Sequence, residues 1–415
     1  MTIRTLWLLI VMITAVSPLK AAAIFPDTLQ LPDRWLQPAP TSEPEKKWYE
    51  RINLRGYAQV RYNRLLETNS KLGCEQCDKS WGENGGFFIR RIRLIFSGQI
   101  TKNISFYIQP DFASSAASDK LHFGQIRDAY FDIGLDSLNE FRLRIGQSKV
   151  PYGFENMQSS QNRLPLDRHD ALNSAVANER DLGLFFYWAP KEKRELFSDL
   201  VSSGLKGSGD YGVFAFGAYN GQTANSPEMN NSPHIVTRFS YPMKVGRQII
   251  EPGIQAYTGN YTMPRSNVSA EAKAPSELRF KDERVAGTFV MYPKPFGIQT
   301  EYTFGRGPEY NKVTDSIETQ SLQGGYIQLM YQIRGKKHIA FPFVRYQYYD
   351  GGKKHERDAR SYTVRDLEIG IEWQPVKYFE LVAMYVISNR RYEDAALPEN
   401  HQVGNLLRLQ AQVNF

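Results

Sequence analysis

Cysteine is nearly absent from this 415-residue chain: Cys74 and Cys77, spaced CEQC, are the only two. That excludes a disulfide framework as the source of stability. A metal or redox centre would need a second pair of ligands close by, and Asp78 stands where haem attachment would require His. The expectation is a small-loop disulfide between Cys74 and Cys77, or two idle thiols. Histidine is scarce too: the six, at 122, 169, 234, 338, 355 and 401, fall mostly in loops or at segment ends. None sits in a nucleophile motif, so no catalytic set, metal site or cofactor is expected. Gly-rich phosphate-cradling loops and blocks of basic residues are lacking. With a net charge of only +7, nucleic acid is not an expected partner. After the N-terminal segment, no stretch approaches the length of apolar helix that crosses a bilayer, about 20 residues. No amphipathic helix of useful length and no plug-sized insertion is visible either.

What is present begins with an export signal. Arg4 supplies positive charge, Thr5 to Val16 an apolar run, Pro18 a break and Ala21-Ala22-Ala23 a small-residue cleavage site. The other reading of this stretch is an uncleaved anchor. Residues 1–22 are therefore set aside as a signal peptide. Residues 23–47, with Pro26, Pro32, Pro38, Pro40 and Pro44, read as an extended periplasmic lead-in. Residues 48–415 form the domain proper.

There the text changes to segments of roughly ten residues with period-two alternation, divided by turn-rich stretches. Leu54, Ala58, Val60 and Tyr62 oppose Arg55, Tyr57, Gln59 and Arg61; Ile92, Leu94 and Phe96 oppose Arg91, Arg93 and Ser97. Ile104, Phe106 and Ile108 oppose Ser105, Tyr107, Gln109 and Asp111, and Phe141, Leu143 and Ile145 oppose Arg142 and Arg144. Mean hydropathy is −0.47 although 24 Tyr, 24 Phe and 6 Trp are present. That combination suits a barrel whose lipid face takes every second residue. Tyr346, Tyr348, Tyr349, Tyr257 and Tyr261 lie near segment ends, as an interfacial girdle would require. The last segment alternates Leu407, Leu409, Ala411 and Val413 with Arg408, Gln410, Gln412 and Asn414, and closes on Phe415. The expected fold is all-β: a transmembrane antiparallel β-barrel of about 16 strands with a pore-constricting loop. At that size the interior stays wet.

Arginine on the lipid face near the bilayer midplane would cost about 2–4 kcal/mol. Arg55, Arg61, Arg91, Arg93 and Arg144 are therefore expected to face the lumen, along an anion path. Lys149 to Arg180 alternates little and is the candidate infolded loop, with Lys149, Arg163 and Arg168 as constriction cations. The bland alternative pairs these cations with Glu155, Asp167, Asp170 or Asp181. Asp111, Asp128, Asp132 and Glu301 also fall on lumen faces and oppose an anion preference.

Several short motifs, taken in order from about residue 50 onward, resemble those of the phosphate-selective porin O and P family. Arg90-Arg91-Ile92-Arg93-Leu94 resembles its RRxRL strand, Gln109-Pro110-Asp111-Phe112 its QPDF strand end, and Asp128-Ala129-Tyr130 its DAY strand. Arg144 to Gly153 is similar to its RxGQxKxPFG stretch, with Ser148 where an aromatic is common. Arg180-Asp181-Leu182-Gly183 is similar to RDxG, and Pro295 to Tyr302 to PFGxQxEY. The resemblance implies a 16-stranded trimeric porin with an arginine-lined anion path. The expected function is passive diffusion of small solutes across a bacterial outer membrane, anion-preferring, with phosphate or polyphosphate as the favoured solute. Partners would be small anions such as phosphate, outer-membrane lipid and two further copies of the chain. The competing readings are a plugged or narrow barrel serving as receptor or adhesin, and an outer-membrane hydrolase.

Overall fold

The computed structural model describes residues 47–74, 86–113 and 123–415. The expected signal peptide, the lead-in up to residue 46 and Cys77 lie outside them; Cys74 is disulfide-bonded.

A short 3₁₀ turn, Trp48–Arg51, leads into the first strand. The strands are β1 Asn53–Leu65, β2 Gly86–Gln99, β3 Ile104–Ala113, β4 Phe123–Gly134, β5 Phe141–Lys149, β6 Arg180–Trp188, β7 Phe214–Tyr219 and β8 His234–Ser240. Met243–Val245 continues β8 beyond Pro242. There follow β9 Gln248–Thr262, β10 Arg279–Met291, β11 Phe296–Asn311 and β12 Ser316–Tyr331, the last continued by Ile333–Arg334. β13 Ile339–Gly352, β14 Ser361–Val376, β15 Phe379–Glu393 and β16 His401–Asn414 complete the ring. Every strand pairs antiparallel with its sequence neighbours, and β1 pairs with β16, so the sheet of sixteen strands is closed.

The seam depends on a glycine. Gly56 N donates to Phe415 O at 2.7 Å and Phe415 N to Gly56 O at 2.9 Å. A Cβ on Gly56 would meet the Phe415 ring at 2.7 Å and the Arg93 carbonyl oxygen at 2.6 Å, so no other residue fits without movement.

Alternation sorts the side chains as the sequence implies. Ile108, Phe131, Ile145, Leu184, Phe216, Ile254, Val285, Phe304, Ile327, Ile369 and Ile387 point outward and are exposed, forming the lipid-facing surface. The tyrosines divide differently from expectation. Tyr346 and Tyr348 face out, but Tyr349, Tyr257 and Tyr261 are buried on the inner face. Their hydroxyls or rings are taken up inside: Tyr257 Oη donates to Asp282 (2.9 Å) and Tyr349 Oη to the Gly352 carbonyl (2.5 Å). Exposed outer-face Tyr and Trp residues include Tyr302, Tyr331, Tyr346, Trp373 and Tyr378.

The segment between β5 and β6, residues 150–179, is almost wholly buried and packs on inward-facing side chains. It carries α1 Phe154–Met157 and α2 Asp170–Ala175. Two apolar contacts pin it. Leu164 and Leu166 pack with Phe343, Met384, Val386 and Leu406 on one wall, and Val150, Tyr152, Leu172 and Val176 with Phe185, Tyr187 and Val236 on the other. At about 1.5–3 kcal/mol for each large side chain fully buried, these contacts supply the net attraction.

A helix that the sequence reading did not anticipate, α3 Lys191–Ser202, follows β6 at the opposite end. Leu196 and Leu200, four residues apart, pack with Ile249, Val290, Tyr292 and Phe154, and Phe197 with Ala189 and Val213. Leu205 N bonds Leu200 O and Gly204 N bonds Val201 O, a Schellman closure with Gly204 at φ 68°.

Replacing Gly56 by Leu is expected to loosen the β1–β16 seam at a cost of about 1–3 kcal/mol, as overpacking does. The folded, heat-modifiable band on a gel should then be lost at lower temperature than for the wild type.

Candidate functional site

Three cavities lie in series through the barrel. The first, about 740 Å³, opens at the end with the short turns and is lined by Arg55, Lys206, Arg334, Lys336, Lys337 and Lys377, with Glu380 as its one acidic side chain among the described residues. The middle one, about 240 Å³, is lined by Arg55, Arg93, Arg144, Lys149 and Arg180, against Asp128 and Asp210. The third, about 590 Å³, lies under the long segments and is lined by Arg90, Arg91, Arg93, Arg127 and Arg168, against Asp111 and Glu356. Neighbouring cavities share wall residues. Arg55 stands at the first junction and Arg93 at the second.

Of the residues expected on an anion path, Arg55, Arg91, Arg93 and Arg144 border these cavities, and Arg61 does not. Arg61 is spent on the infolded segment: it donates to the Leu166 carbonyl (2.7 Å) and to Gln410 Oε1 (2.8 Å), and pairs with Asp167 (3.4 Å). Arg144 is gripped bidentately by Asp132 at 2.7 and 2.8 Å and lies 3.9 Å from the Tyr130 ring centre. Arg93 bonds Asp111 (3.1 Å), Tyr57 Oη (2.9 Å) and Ser160 Oγ (3.1 Å). Arg55 and Arg91 face no carboxylate at bonding distance among the described residues.

The three loop cations do not take the carboxylates proposed for them from sequence. Lys149 Nζ donates to the main-chain oxygens of Met157 (3.0 Å) and Gln158 (2.8 Å), closing the base of the segment. Arg163 and Arg168 both turn to Glu179, at 3.6 and 3.5 Å. Glu179 is also paired with Arg127 at 3.0 Å and with Arg180, so one carboxylate answers four guanidinium groups. Its backbone is left-handed at φ 67°, a conformation that costs a non-glycine residue about 1–3 kcal/mol and persists only where surroundings enforce it. Arg163 Nε and Nη1 and Arg127 Nε are buried with no hydrogen-bond acceptor among the described residues. Burial lowers the Arg163 guanidinium to about 10, against the pull of Glu155 and Asp167.

A second set of arginines, on the opposite wall, holds the segment in place. Arg345 bonds Glu155 (2.8 Å), the Asp167 carbonyl (2.9 Å) and Glu368 (2.5 Å). Arg408 bonds Asp167 (2.6 Å), Arg284 the Ser174 carbonyl (2.9 Å), and Arg390 with Lys353 grips Asp170. Burial would raise the Asp170 carboxyl, but Arg390 and Lys353 overcome it and hold the group at about 2. Glu301 accepts the Phe154 amide at 2.7 Å and faces His169 Nε2 at 3.3 Å. Sequence reasoning named none of Arg284, Arg345, Arg390 and Arg408 as site residues. Parity alone would have found two of them: Arg345 stands between Val344 and Tyr346, and Arg408 between Leu407 and Leu409. Glu179 had no such signal.

Comparison with known proteins agrees with this architecture. The family model for phosphate-selective porin O and P matches residues 73–415. Among solved structures, the outer membrane channel DcaP of Acinetobacter baumannii is similar over 88% of this chain and 97% of its own, with TM-score 0.56 and 16% identity. OmpF of Salmonella typhi, solved with daunomycin, matches with the same coverage at TM-score 0.54 and 14% identity. An anion-selective porin from Comamonas acidovorans matches over 88% of this chain and 99% of its own, at TM-score 0.52 and 10% identity. These likenesses show the fold. No curated protein matches the chain in sequence.

Asp170→Asn should remove the carboxylate that Arg390 and Lys353 share, leaving Arg390 to Asp366 and Lys353 to Glu356 at 3.8 Å, a loss of charged hydrogen bonds that costs about 1.5–3 kcal/mol. Hydrogen exchange over residues 165–176 is expected to rise while strand amides stay protected. In the wild type the clamp, resting on a depressed carboxyl, is present above the ordinary Asp value of about 3.9. It should be lost only as pH falls through about 2, so exchange over this segment should be the same at pH 7 and pH 4 after correction for intrinsic rates.

Proposed function

The chain belongs to the phosphate-selective porin O and P family, a bacterial outer-membrane porin, and from that premise we propose that it admits small anions by passive diffusion, phosphate-like oxyanions foremost. The observation that carries the reading is charge: basic side chains outnumber carboxylates in each of the three cavities. A fixed excess of guanidinium and ammonium groups draws anions in and repels cations.

A step of transport is a hand-over between arginines. An anion entering either wide cavity meets a cation that no described carboxylate pairs with, Arg55 at one end and Arg91 at the other. It then passes the narrow middle cavity beside Arg144, Lys149 and Arg180. Partial neutralisation by Asp128, Asp132, Asp111 and Glu179 keeps each stop shallow, and conduction requires that an ion leave as readily as it enters. Planar guanidinium forks favour oxyanions that accept two bonds at once over a spherical halide. The infolded segment 150–179 acts as the constriction, with Arg163, Arg168 and Arg127 as its cationic lip and Glu179 as the group that orders them. The molecule works as a homotrimer, as its resemblance to the family implies, with outer-membrane lipid around it. A second reading, a barrel too filled to conduct and used as a receptor, draws on the burial of that segment.

Planar-bilayer recordings under a salt gradient decide between them. An anion-selective reversal potential is expected; no conductance would favour the receptor. A charge about 4 Å from a permeating ion in water is worth about 1 kcal/mol, or about five-fold in relative permeability. Arg55→Gln and Arg91→Gln should each lower the anion-to-cation ratio by about that factor, and millimolar phosphate should depress the chloride current of the wild type more than that of Arg91→Gln.

A further inference from the structure

We propose that residues 203–213, which follow α3, form a strap across the periplasmic end of the lumen and are a second determinant of conductance, separate from segment 150–179. The inference rests on the channel reading above and goes beyond it.

The strap enters from the end where the other inter-strand connections are short, the periplasmic side by the usual orientation of such barrels. At its base it is tied to its own wall: Asp210 accepts from Arg142 of β5 at 2.7 Å and from Arg194 of α3 at 2.8 Å. Its tip reaches much farther. Lys206 Nζ pairs with Glu372 of β14 at 2.5 Å and lies 4.7 Å from the centre of the Phe341 ring on β13. The strap springs from β6, and β14 is eight places away in a ring of sixteen, so this ion pair closes a diameter. On the way it touches the other infolded segment, where Gln158 Nε2 donates to the Lys206 carbonyl at 2.6 Å.

Its position divides the solute route. Gly204 and Lys206 line the vestibule, whereas Ser208, Gly209 and Tyr211 line the middle cavity. The residues common to both cavities are Arg55, Ile95, Gln161, Asn162 and Val201, so the junction is squeezed against the β1–β2 wall with Arg55 at its edge. The backbone is built for this course. Gly204, Gly209 and Gly212 have φ of 68°, 92° and 74°, and a Cβ on Gly207 would meet Leu200 at 2.9 Å. Lys206 itself is left-handed at φ 64°, a strained state held by the bonds at its carbonyl and its ammonium group.

Three recordings test the strap. Removal of residues Gly204–Gly209 should raise single-channel conductance roughly two-fold or more, because the junction between the first and middle cavities widens. Lys206→Gln combined with Glu372→Gln frees the tip without an unpaired charge, and should give noisier openings of larger mean conductance. Ser208→Cys changes little else and covers the case in which the deletion fails to fold. Labelling it to completion with a bulky anionic thiosulfonate added on the periplasmic side should cut the current to a small fraction. Conductance of the deletion variant within about a tenth of wild type, or an unchanged current through fully labelled Ser208→Cys, overturns the strap and leaves the channel standing. A wild-type protein that does not conduct at all removes the channel reading instead.

Discussion

A guanidinium taken out of water must find a carboxylate or a row of carbonyls, and this requirement organises the inside of the barrel. A buried cation left alone costs several kcal/mol, more than any single packing contact returns. Arg284, Arg345, Arg390 and Arg408 sit on inner strand faces where the infolded segment covers them. Glu155, Asp167 and Asp170, with the Ser174 carbonyl, are placed to meet them. Such pairs add little net stability, since desolvation consumes most of the attraction. What they fix is register. The leucines and tyrosines of the segment make it stay inside, and the ion pairs decide where each residue goes.

The same rule applied to the other wall gives the opposite result. Along β2 to β6, Asp111, Asp128, Asp132 and Glu179 are too few for the arginines and lysine around them, and the surplus faces the cavities. At the level of the infolded segment, one half of the lumen is therefore tightly bonded, and the other carries the surplus positive charge and stays open. The proposed anion route follows from this imbalance and not from arginine content as such. The five most deeply buried arginines, Arg238 among them, border none of the three cavities.

The strands were legible because lipid demands an apolar residue at every second position, and short-range alternation needs no knowledge of the rest of the chain. Arg55, Arg91, Arg93 and Arg144 could be assigned to the inner face on that basis, as could Asp111 and Glu301. Three things were not legible. Where a loop packs against the wall, inner residues become apolar too, so Val382, Met384 and Val386 blur the parity of β15. The tyrosines were misassigned for a related reason: proximity to a segment end says nothing about which side a ring is on, and Tyr257 and Tyr349 obey parity instead. α3 escaped because its buried face is only Leu196, Phe197 and Leu200, too narrow a stripe to stand out among six charged residues. Which carboxylate meets which cation depends on contacts more than a hundred residues apart, as with Arg345 and Glu155, and no local pattern encodes them.

Contact between Gln158 and the Lys206 carbonyl joins two segments that come in from opposite mouths, each already fastened to a different part of the wall. The barrel is thus braced from within, like a wheel with spokes. An empty cylinder of sixteen strands can flatten under lateral pressure from the bilayer, and its opening then varies with the membrane around it. Here the span between β6 and β14 is set by covalent chain and an ion pair. Bonds within the chain thus tie that diameter together, in addition to the ring of strands itself.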